Sequence, residues 1–412
     1  MTSIAGAPWL AAPETRAVMA ALEAARPGGA RFVGGCVRNA LIGQPVDDID
    51  IATQLTPEET IAAATAAGFG VAPTGLEHGT VTVIARHKPF EVTTLRRDVA
   101  TDGRRATVAF TEDWAEDASR RDFRLNALYA DASGAVFDPT GGGVDDARAG
   151  RIIFIGDAET RLREDYLRIL RFFRFSAWYG RGPLDERGLA ACAAMQQGLD
   201  QLSAERVWKE LKKLLAAPDP RPALEAMVRL GLLARIAPEA VKTDRLLRLI
   251  AIENDLLLSH EAMTRAAVML ADEAGARAFA RRMKASNDER GRLAAAQGHT
   301  PRIVSYMSMR EVRRALYALG VETFRDRARR VWAEEADMRK ASQWRALLAL
   351  ADSYVRPSLP LSGDDILAAG VPPGPKVGEV RREVEAWWID ADFPDDRLSI
   401  VERLKAVAQG LS

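Results

Sequence analysis

Residues 31–53 read RFVGGCVRNALIGQPVDDIDIAT, and this run limits the possible folds more than any other. It predicts a strand, a Gly34-Gly35 turn, a short helix, and a second strand carrying Asp48 and Asp50. Paired glycines let backbone approach a ligand closely, and the amides entering the next helix suit a phosphate. In a strand, positions 48 and 50 point to the same face. Two carboxylates on one face repel unless a cation sits between them, and Mg²⁺ bound to substrate phosphates is the usual solution. Alone, a Gly-Gly pair is ordinarily a turn, and Asp-x-Asp a solvated strand end. In this order, one after the other, they point to nucleotidyl transfer.

The rest of the sequence says what surrounds that run. At 412 residues there is material for more than one domain. No apolar run approaches the roughly 20 residues of a membrane span. The first residues, MTSIAGAPWLAAPETRAV, lack the basic-then-apolar pattern of a secretory signal, which predicts a cytoplasmic protein. Cys36 and Cys192 stand far apart and suggest neither a disulfide framework nor a zinc site. His78, His87, His260 and His299 form no ligand spacing, so metal chemistry must rest on carboxylates, which favours Mg²⁺. Net charge is zero, which excludes a uniformly basic coat but not a local groove. Residues 161–215 carry eleven Arg and Lys against seven Asp and Glu, an excess of four.

Short strands mixed with helices run to about residue 153, and helix follows helix from about 156 onward. The expected fold class is therefore α+β: a mixed-sheet head over 1–153, a helical neck over 154–235, and a helical body and tail over 236–412. Residues 57–67 predict a helix and 69–73 a strand. Residues 79–86 and 89–96 alternate as strands and predict a hairpin turning at His87-Lys88. Residues 97–118 are polar, carry an Asp102-Gly103 turn signal, and read as a long mobile loop. A helix is expected to carry RRDFRLNAL, followed by a strand ending at Asp138. Pro139 and Gly141-Gly142-Gly143 mark 139–155 as a hinge.

Several segments carry candidate chemistry. If the strand bearing Glu91 neighbours the one bearing Asp50, Glu91 is a third carboxylate near the metal; otherwise it is a solvated strand glutamate. Asp122 and Asn126, at i and i+4, share a helix face with Arg121 close by, a set able to hold a triphosphate and ribose, or simply a charged surface helix. The stretch TRLREDYLRILRFFRFSAW is apolar nearly all round, yet Arg161, Asp165, Arg168 and Arg171 form one charged stripe. That stripe faces a wet cleft, or else forms an internal ladder pairing Asp165 with Arg161 or Arg168. ERVWKELKKLL over 205–215 predicts an amphipathic helix with a basic face. In SGDDILAAGVPPGPKVGEV, Lys376 stands near a helix start, where amides suit an RNA phosphate or form a structural turn.

Together these segments resemble the class II tRNA nucleotidyltransferase (CCA-adding enzyme) and bacterial poly(A) polymerase family. The runs that carry the resemblance are GGCVRNALIG…DDIDIAT, GLEHGTVTVI, FEVTTLRRD, RRDFRLNALYAD, DPTGGGVDDARAGRI, REDYLRILRFFRFSA and ERVWKEL, in the family's order over about the first half of the chain. The resemblance implies a head, neck, body and tail fold acting on the 3′ end of tRNA with CTP and ATP. It implies that Asp48 and Asp50 bind metal, and that Gly34, Gly35 and Arg38 grip triphosphate and sugar. Arg121, Asp122 and Asn126 match the second head motif. Asp165 and Arg168 match the pair that reads the incoming base, with Arg171 beside them as a further nucleotide contact. Residues 97–118 match the loop implicated in switching from C to A addition. Asn39 departs, standing where the family commonly has Asp, and is expected to partner Arg38 more weakly. A poly(A) polymerase, a partial CC- or A-adding enzyme, and a catalytically silent RNA-binding protein are the competing readings. The family's poly(A) members are usually more basic, so by that resemblance the neutral composition favours tRNA as the substrate, and the intact Asp48 and Asp50 argue against silence. Oligomeric state is left open.

Overall fold

The computed structural model describes residues 2–101 and 106–410. It divides into two compact units, Met1–Pro238 and Glu239–Ser412. The first contains a seven-stranded sheet in the order β3-β4-β5-β2-β1-β8-β9. Its strands are β1 (Ala30–Val33), β2 (Asp50–Thr53), β3 (Gly70–Gly75), β4 (Thr80–Ala85), β5 (Lys88–Thr94), β8 (Tyr129–Ala130) and β9 (Val136–Phe137). A separate two-stranded sheet pairs β6 (Arg96–Thr101) with β7 (Ala106–Phe110). The α+β expectation holds.

Local chemistry explains the elements that frame the centre of the sheet. β4 and β5 alternate buried and exposed positions, so Val81, Val83, Phe90 and Val92 enter the core. Their turn uses Arg86 and His87, both at positive φ, rather than His87-Lys88. The helix Pro57–Ala66 opens with a capping box: Glu59 N–H donates to the Thr56 hydroxyl at 3.2 Å, and Thr56 N–H donates to the Glu59 carboxylate at 2.8 Å. β2 runs parallel to β5, with Asp50 opposite Glu91.

Several sequence expectations are corrected here. Asp48 precedes β2, in an irregular segment, and only Asp50 belongs to the strand. Residues 97–118 are not one loop: they contribute β6, β7 and the helix Trp114–Ser119. The Asp102-Gly103 turn lies outside the described residues. RRDFRLNAL forms no α-helix. Phe123 is extended, Arg124 N–H donates to the Ile153 carbonyl at 3.0 Å, and Ile155 N–H donates to the Asp122 backbone carbonyl at 3.1 Å. Tertiary packing overrides the helical spacing, because Phe123 is fully buried against Phe154, ring centroids 4.9 Å apart. The proposed hinge at 139–155 holds a helix, Gly143–Ala149, clamped by buried Asp146 to Arg124 at 2.6 Å and to Arg151 at 2.9 Å.

The stretch 160–178 is also not one helix. Asp165 adopts an extended backbone between the helices Ala158–Glu164 and Leu167–Tyr179, and its carboxylate accepts the Leu167 N–H at 3.0 Å. A short acidic side chain that bonds the backbone two residues on competes with helix continuation. Ala204–Leu215 forms the expected amphipathic helix, with Val207, Leu211, Leu214 and Leu215 buried.

Every described secondary-structure element of the second unit is a helix. One apolar cluster centres on Trp332 and Trp344, stacked at 6.1 Å, and another on Trp388, Val384 and Ile400. Lys376 stands at the start of the helix Pro375–Asp390, as expected. In the same unit Arg265 and Glu253 pair at 2.8 Å with no solvent exposure, and Asp326 accepts from Thr264 at 2.6 Å and Arg292 at 2.8 Å. No described helix is long and apolar enough to cross a membrane.

Candidate active site

The Gly-Gly turn needs glycine at its first position. Gly34 has φ +73°, and an added Cβ there would lie 3.6 Å from an Arg121 guanidinium nitrogen. The chain then enters the helix Gly35–Leu41, which carries Arg38. Cys36 on the same helix is buried, and burial pushes its thiol up to about 12, too high for a nucleophile.

Gly34, Gly35, Arg38, Asp48, Asp50, Arg121, Asp122, Asn126, Asp165, Arg168 and Arg171 all line one open cavity of about 730 Å³ within the first unit. Glu91 does not line it but stands beside Asp50 across the β2–β5 ladder. The strand-neighbour condition for a third carboxylate is met.

The cavity has an acidic wall and a basic one. Asp48 is exposed and Asp50 half-buried, and among the described residues neither carboxylate makes an ion pair or a hydrogen bond. Burial, then Glu91 and Asp48, push Asp50 up to about 6 against the pull of Arg121. This is uncompensated negative charge, and a cation would relieve it. The donor set is all carboxylate oxygen, which fits a hard divalent ion that completes its shell with substrate phosphates and water. No described group of three or more His, Cys, Asp or Glu forms a metal cage without such help.

The opposite wall is wired together. Arg38 donates to the Asn126 side-chain oxygen and, at 2.7 Å, to the Tyr179 hydroxyl. Asn126 donates in turn to Asp122 at 3.0 Å, and Asp122 accepts from Arg171 at 2.7 Å. The i, i+4 partnership of Asp122 and Asn126 therefore survives without the helix that predicted it. Burial raises Asp122, but Arg171, Asn126 and the Phe123 N–H outweigh it and hold the carboxyl at about 2.

Asp165 and Arg168 both reach the cavity but do not pair with each other. Asp165 binds Arg206 at 2.6 Å. Arg168 binds Glu164 at 2.5 Å and the carbonyl oxygens of Arg161 at 2.9 Å and Arg120 at 2.8 Å. The expected ladder from Asp165 to Arg161 or Arg168 is absent among the described residues, because the chain breaks at Asp165 and turns its carboxylate toward the helix Ala204–Leu215. The basic face of that helix is accordingly not all solvated: Arg206 and Lys213 line the cavity.

Asn39 keeps its link to Arg38. Its side-chain oxygen accepts from Arg38 Nε at 3.1 Å and Nη2 at 2.8 Å.

Sequence reasoning missed Asp117. It is buried and accepts from Arg120 at 2.7 Å, Arg121 at 3.1 Å and the Tyr129 hydroxyl at 2.7 Å. Burial raises its carboxyl, but Arg121, Arg120 and Tyr129 bring it to about 2. The signal was available: Asp117 precedes Arg120 and Arg121 by three and four residues, a helical ion-pair spacing. Arg174, held by Glu210 at 2.6 Å, was also missed, although it continues the stripe from Arg171.

Residues 30–153 match the family described as the poly A polymerase head domain, and residues 183–243 match the probable RNA and SrmB-binding site of polymerase A. The chain is 32% identical over 374 residues to the CCA-adding enzyme of Streptococcus sanguinis, covering 89% of this chain and 90% of that protein. It is 42% identical over 208 residues to the mitochondrial CCA tRNA nucleotidyltransferase 1 of Danio rerio, covering 49% of this chain and 47% of that protein, so this match spans about half the relative's length. The solved Bacillus stearothermophilus CCA-adding enzyme, in complex with CTP, is 27% identical with a TM-score of 0.74, covering 97% of this chain and all of that one.

Proposed function

This chain belongs to the CCA-adding enzyme family of nucleotidyltransferases, and from that premise we propose that it adds C, C and A to the 3′ end of tRNA from CTP and ATP. The observation that carries the reading is the unpaired Asp48 and Asp50 facing a cationic wall across one cavity. Such an arrangement suits a polyphosphate whose far end needs positive charge and whose reacting end needs a metal.

The reaction is an in-line displacement. The tRNA 3′-hydroxyl oxygen bonds to the α-phosphorus, the bond to the bridging oxygen breaks, pyrophosphate leaves, and the hydroxyl proton passes to solvent. Asp48 and Asp50, with Glu91 beside Asp50, would hold a divalent cation; Mg²⁺ there supplies Lewis-acid activation of the hydroxyl and charge neutralisation at the triphosphate. Arg38, Arg121 and Arg171 orient and neutralise phosphate oxygens, and Asp122 and Asn126 keep Arg38 and Arg171 aimed. Gly34 and Gly35 let the chain lie close to the nucleotide. No covalent intermediate is needed.

Base choice falls to Asp165 and Arg168. Ionised Asp165 only accepts and Arg168 only donates. Cytosine offers an amino donor beside a ring acceptor, and adenine repeats that order, whereas uracil and guanine reverse it. Asp165 must release Arg206, and Arg168 must release Glu164, to meet a base. The head at 1–153 performs the chemistry, the neck at 154–235 reads the base, and the remainder at 236–412 holds tRNA. The head-family match over 30–153 supports the first of these divisions. The cytoplasm is the working compartment, since two buried, unpaired thiols suit a reducing one.

One incubation tests the reading: tRNA lacking its 3′ end, labelled CTP and ATP, Mg²⁺, and sequencing of product ends. Ends completed to CCA are expected. A homopolymeric A tail would make it a poly(A) polymerase, CC or A alone a partial enzyme, and no incorporation a silent RNA-binding protein.

A further inference from the structure

Asn39 makes more contacts than a partner of Arg38 requires. Its backbone carbonyl accepts the Gln44 N–H at 2.8 Å. Its side-chain oxygen takes two donors from the Arg38 guanidinium, at 3.1 and 2.8 Å. Its side-chain nitrogen donates to the Pro45 carbonyl at 2.7 Å. The amide's orientation is dictated by these partners: a guanidinium can only donate and a carbonyl can only accept.

Pro45 begins the short crossing that carries Asp48. The far end of that crossing is fixed too, because Ile49 is buried and Asp50 opens β2. Only Val46, Asp47 and Asp48 lie between the two anchors. The Asp48 carboxylate itself has no partner among the described residues, so its place depends on where the backbone is tied. The tie nearest to it on the upstream side is the Asn39–Pro45 bond.

We propose that Asn39 is a positioning residue that couples the two halves of the site. One end of its amide fixes Arg38, a cation beside the glycine turn, and the other fixes the approach to Asp48. The inference rests on the metal role given above to Asp48 and Asp50, and it adds a residue that acts on that role through backbone. It also explains why a neutral amide serves at this position. An Asp of the same shape would satisfy Arg38 but would set a carboxylate oxygen against the Pro45 carbonyl oxygen. The approach to Asp48 would be released while the grip on Arg38 stayed.

The test compares wild type, Asn39→Asp and Asn39→Ala as full chains. It uses calorimetric titration with Mg²⁺ alone, the KM for CTP, and the melting temperature. Asn39→Asp should bind Mg²⁺ about tenfold more weakly, the low end of what losing an outer partner costs a metal site. Its KM for CTP should stay within about twofold, since the net loss of one hydrogen bond is modest and Arg38 keeps its acceptor. Asn39→Ala should lose on both counts. Mg²⁺ affinity unchanged in Asn39→Asp would overturn the proposal. So would a lowered melting temperature with affinity and KM both intact, which is the signature of a purely structural bond. Failure of the wild type to bind Mg²⁺ would instead overturn the metal reading of Asp48 and Asp50, and this inference with it.

Discussion

Two clusters of charge, one in each unit, are built on opposite rules. In the second unit, Glu253 is enclosed by Arg265 at 2.8 Å and Arg329 at 3.5 Å, and Asp326 by Thr264 and Arg292. Each buried carboxylate there has its cation. In the first unit the cationic wall is equally well paired, through Asp117 and Asp122, but the carboxylates Asp48, Asp50 and Glu91 make no ion pair among the described residues, and Glu91 and Asp48 push Asp50 up. Paired charge holds a fold, while unpaired charge beside an open cavity is charge reserved for a ligand.

The largest expected effect breaks the unpaired side. Asp50→Asn or Asp48→Ala should lower nucleotide addition by roughly a thousandfold or more, because on the proposed metal role removing either carboxylate forfeits several kcal/mol of charge stabilisation in the chemical step. tRNA binding should stay nearly intact. Stability should move the other way. The folded Asp50 carboxyl is raised to about 6, so its stabilising influence belongs to the protonated form and is lost as pH rises through 6. In metal-free buffer at pH 8, Asp50→Asn should therefore melt no lower than wild type. A melting temperature that drops along with activity would make Asp50 structural.

The paired side should respond inversely. Arg265→Met leaves the buried Glu253 with Arg329 at 3.5 Å as its remaining cation among the described residues, and breaking such a pair costs about 3–5 kcal/mol. Denaturant unfolding should report that loss, while kcat of the remaining folded enzyme stays within about twofold, the scale of a site with no contact to the chemistry.

This contrast was only partly legible in the sequence. Strand alternation at 79–96 and the capped helix at 57 follow from short-range rules, and they came out with small boundary errors. The glycine turn and the Asp48/Asp50 pair were legible because backbone freedom and like-charge crowding are both local. What failed was decided at long range. RRDFRLNAL has helical spacing, yet Phe123 is worth more packed against Phe154 than in a helix. The 160–178 run has the pattern of one helix, yet Asp165 ends it and finds Arg206, 41 residues away. ATVAF at 106–110 is a β-branched run that the surrounding polarity hid.

Acid titration sharpens the comparison within the first unit. Asp117 and Asp122 are held at about 2, below their ordinary value near 4. A depressed carboxyl contributes stability above its unfolded value, and that contribution is lost as pH falls from about 4 toward 2. Each such pair is worth on the order of 2–3 kcal/mol by linkage. Asp117→Asn should flatten the acid limb of a melting-temperature profile over that range. An unchanged limb would mean that Asp117 is not ionised by its arginines.

The smallest effect concerns base choice. Asp165→Ala and Arg168→Ala should stay folded, lose efficiency with CTP and ATP, and gain relative use of UTP or GTP. The preference should shift by about 1–3 kcal/mol, the scale of one bidentate base contact. A steep fall in melting temperature with the order of the four nucleotides unchanged would reduce both residues to ties between helices, as their present partners Arg206 and Glu164 would suggest.

The claim that the unpaired carboxylates form a cation site can be tested without any substrate. Calorimetric titration of Mg²⁺ into the wild-type chain and into Asp50→Asn, at pH 7.5 and pH 5.5, measures it directly. The wild type should bind at pH 7.5, more weakly at pH 5.5 because a proton then occupies Asp50, and the variant should not bind at either pH. Equal Mg²⁺ affinity in wild type and variant, unaffected by pH, would contradict it.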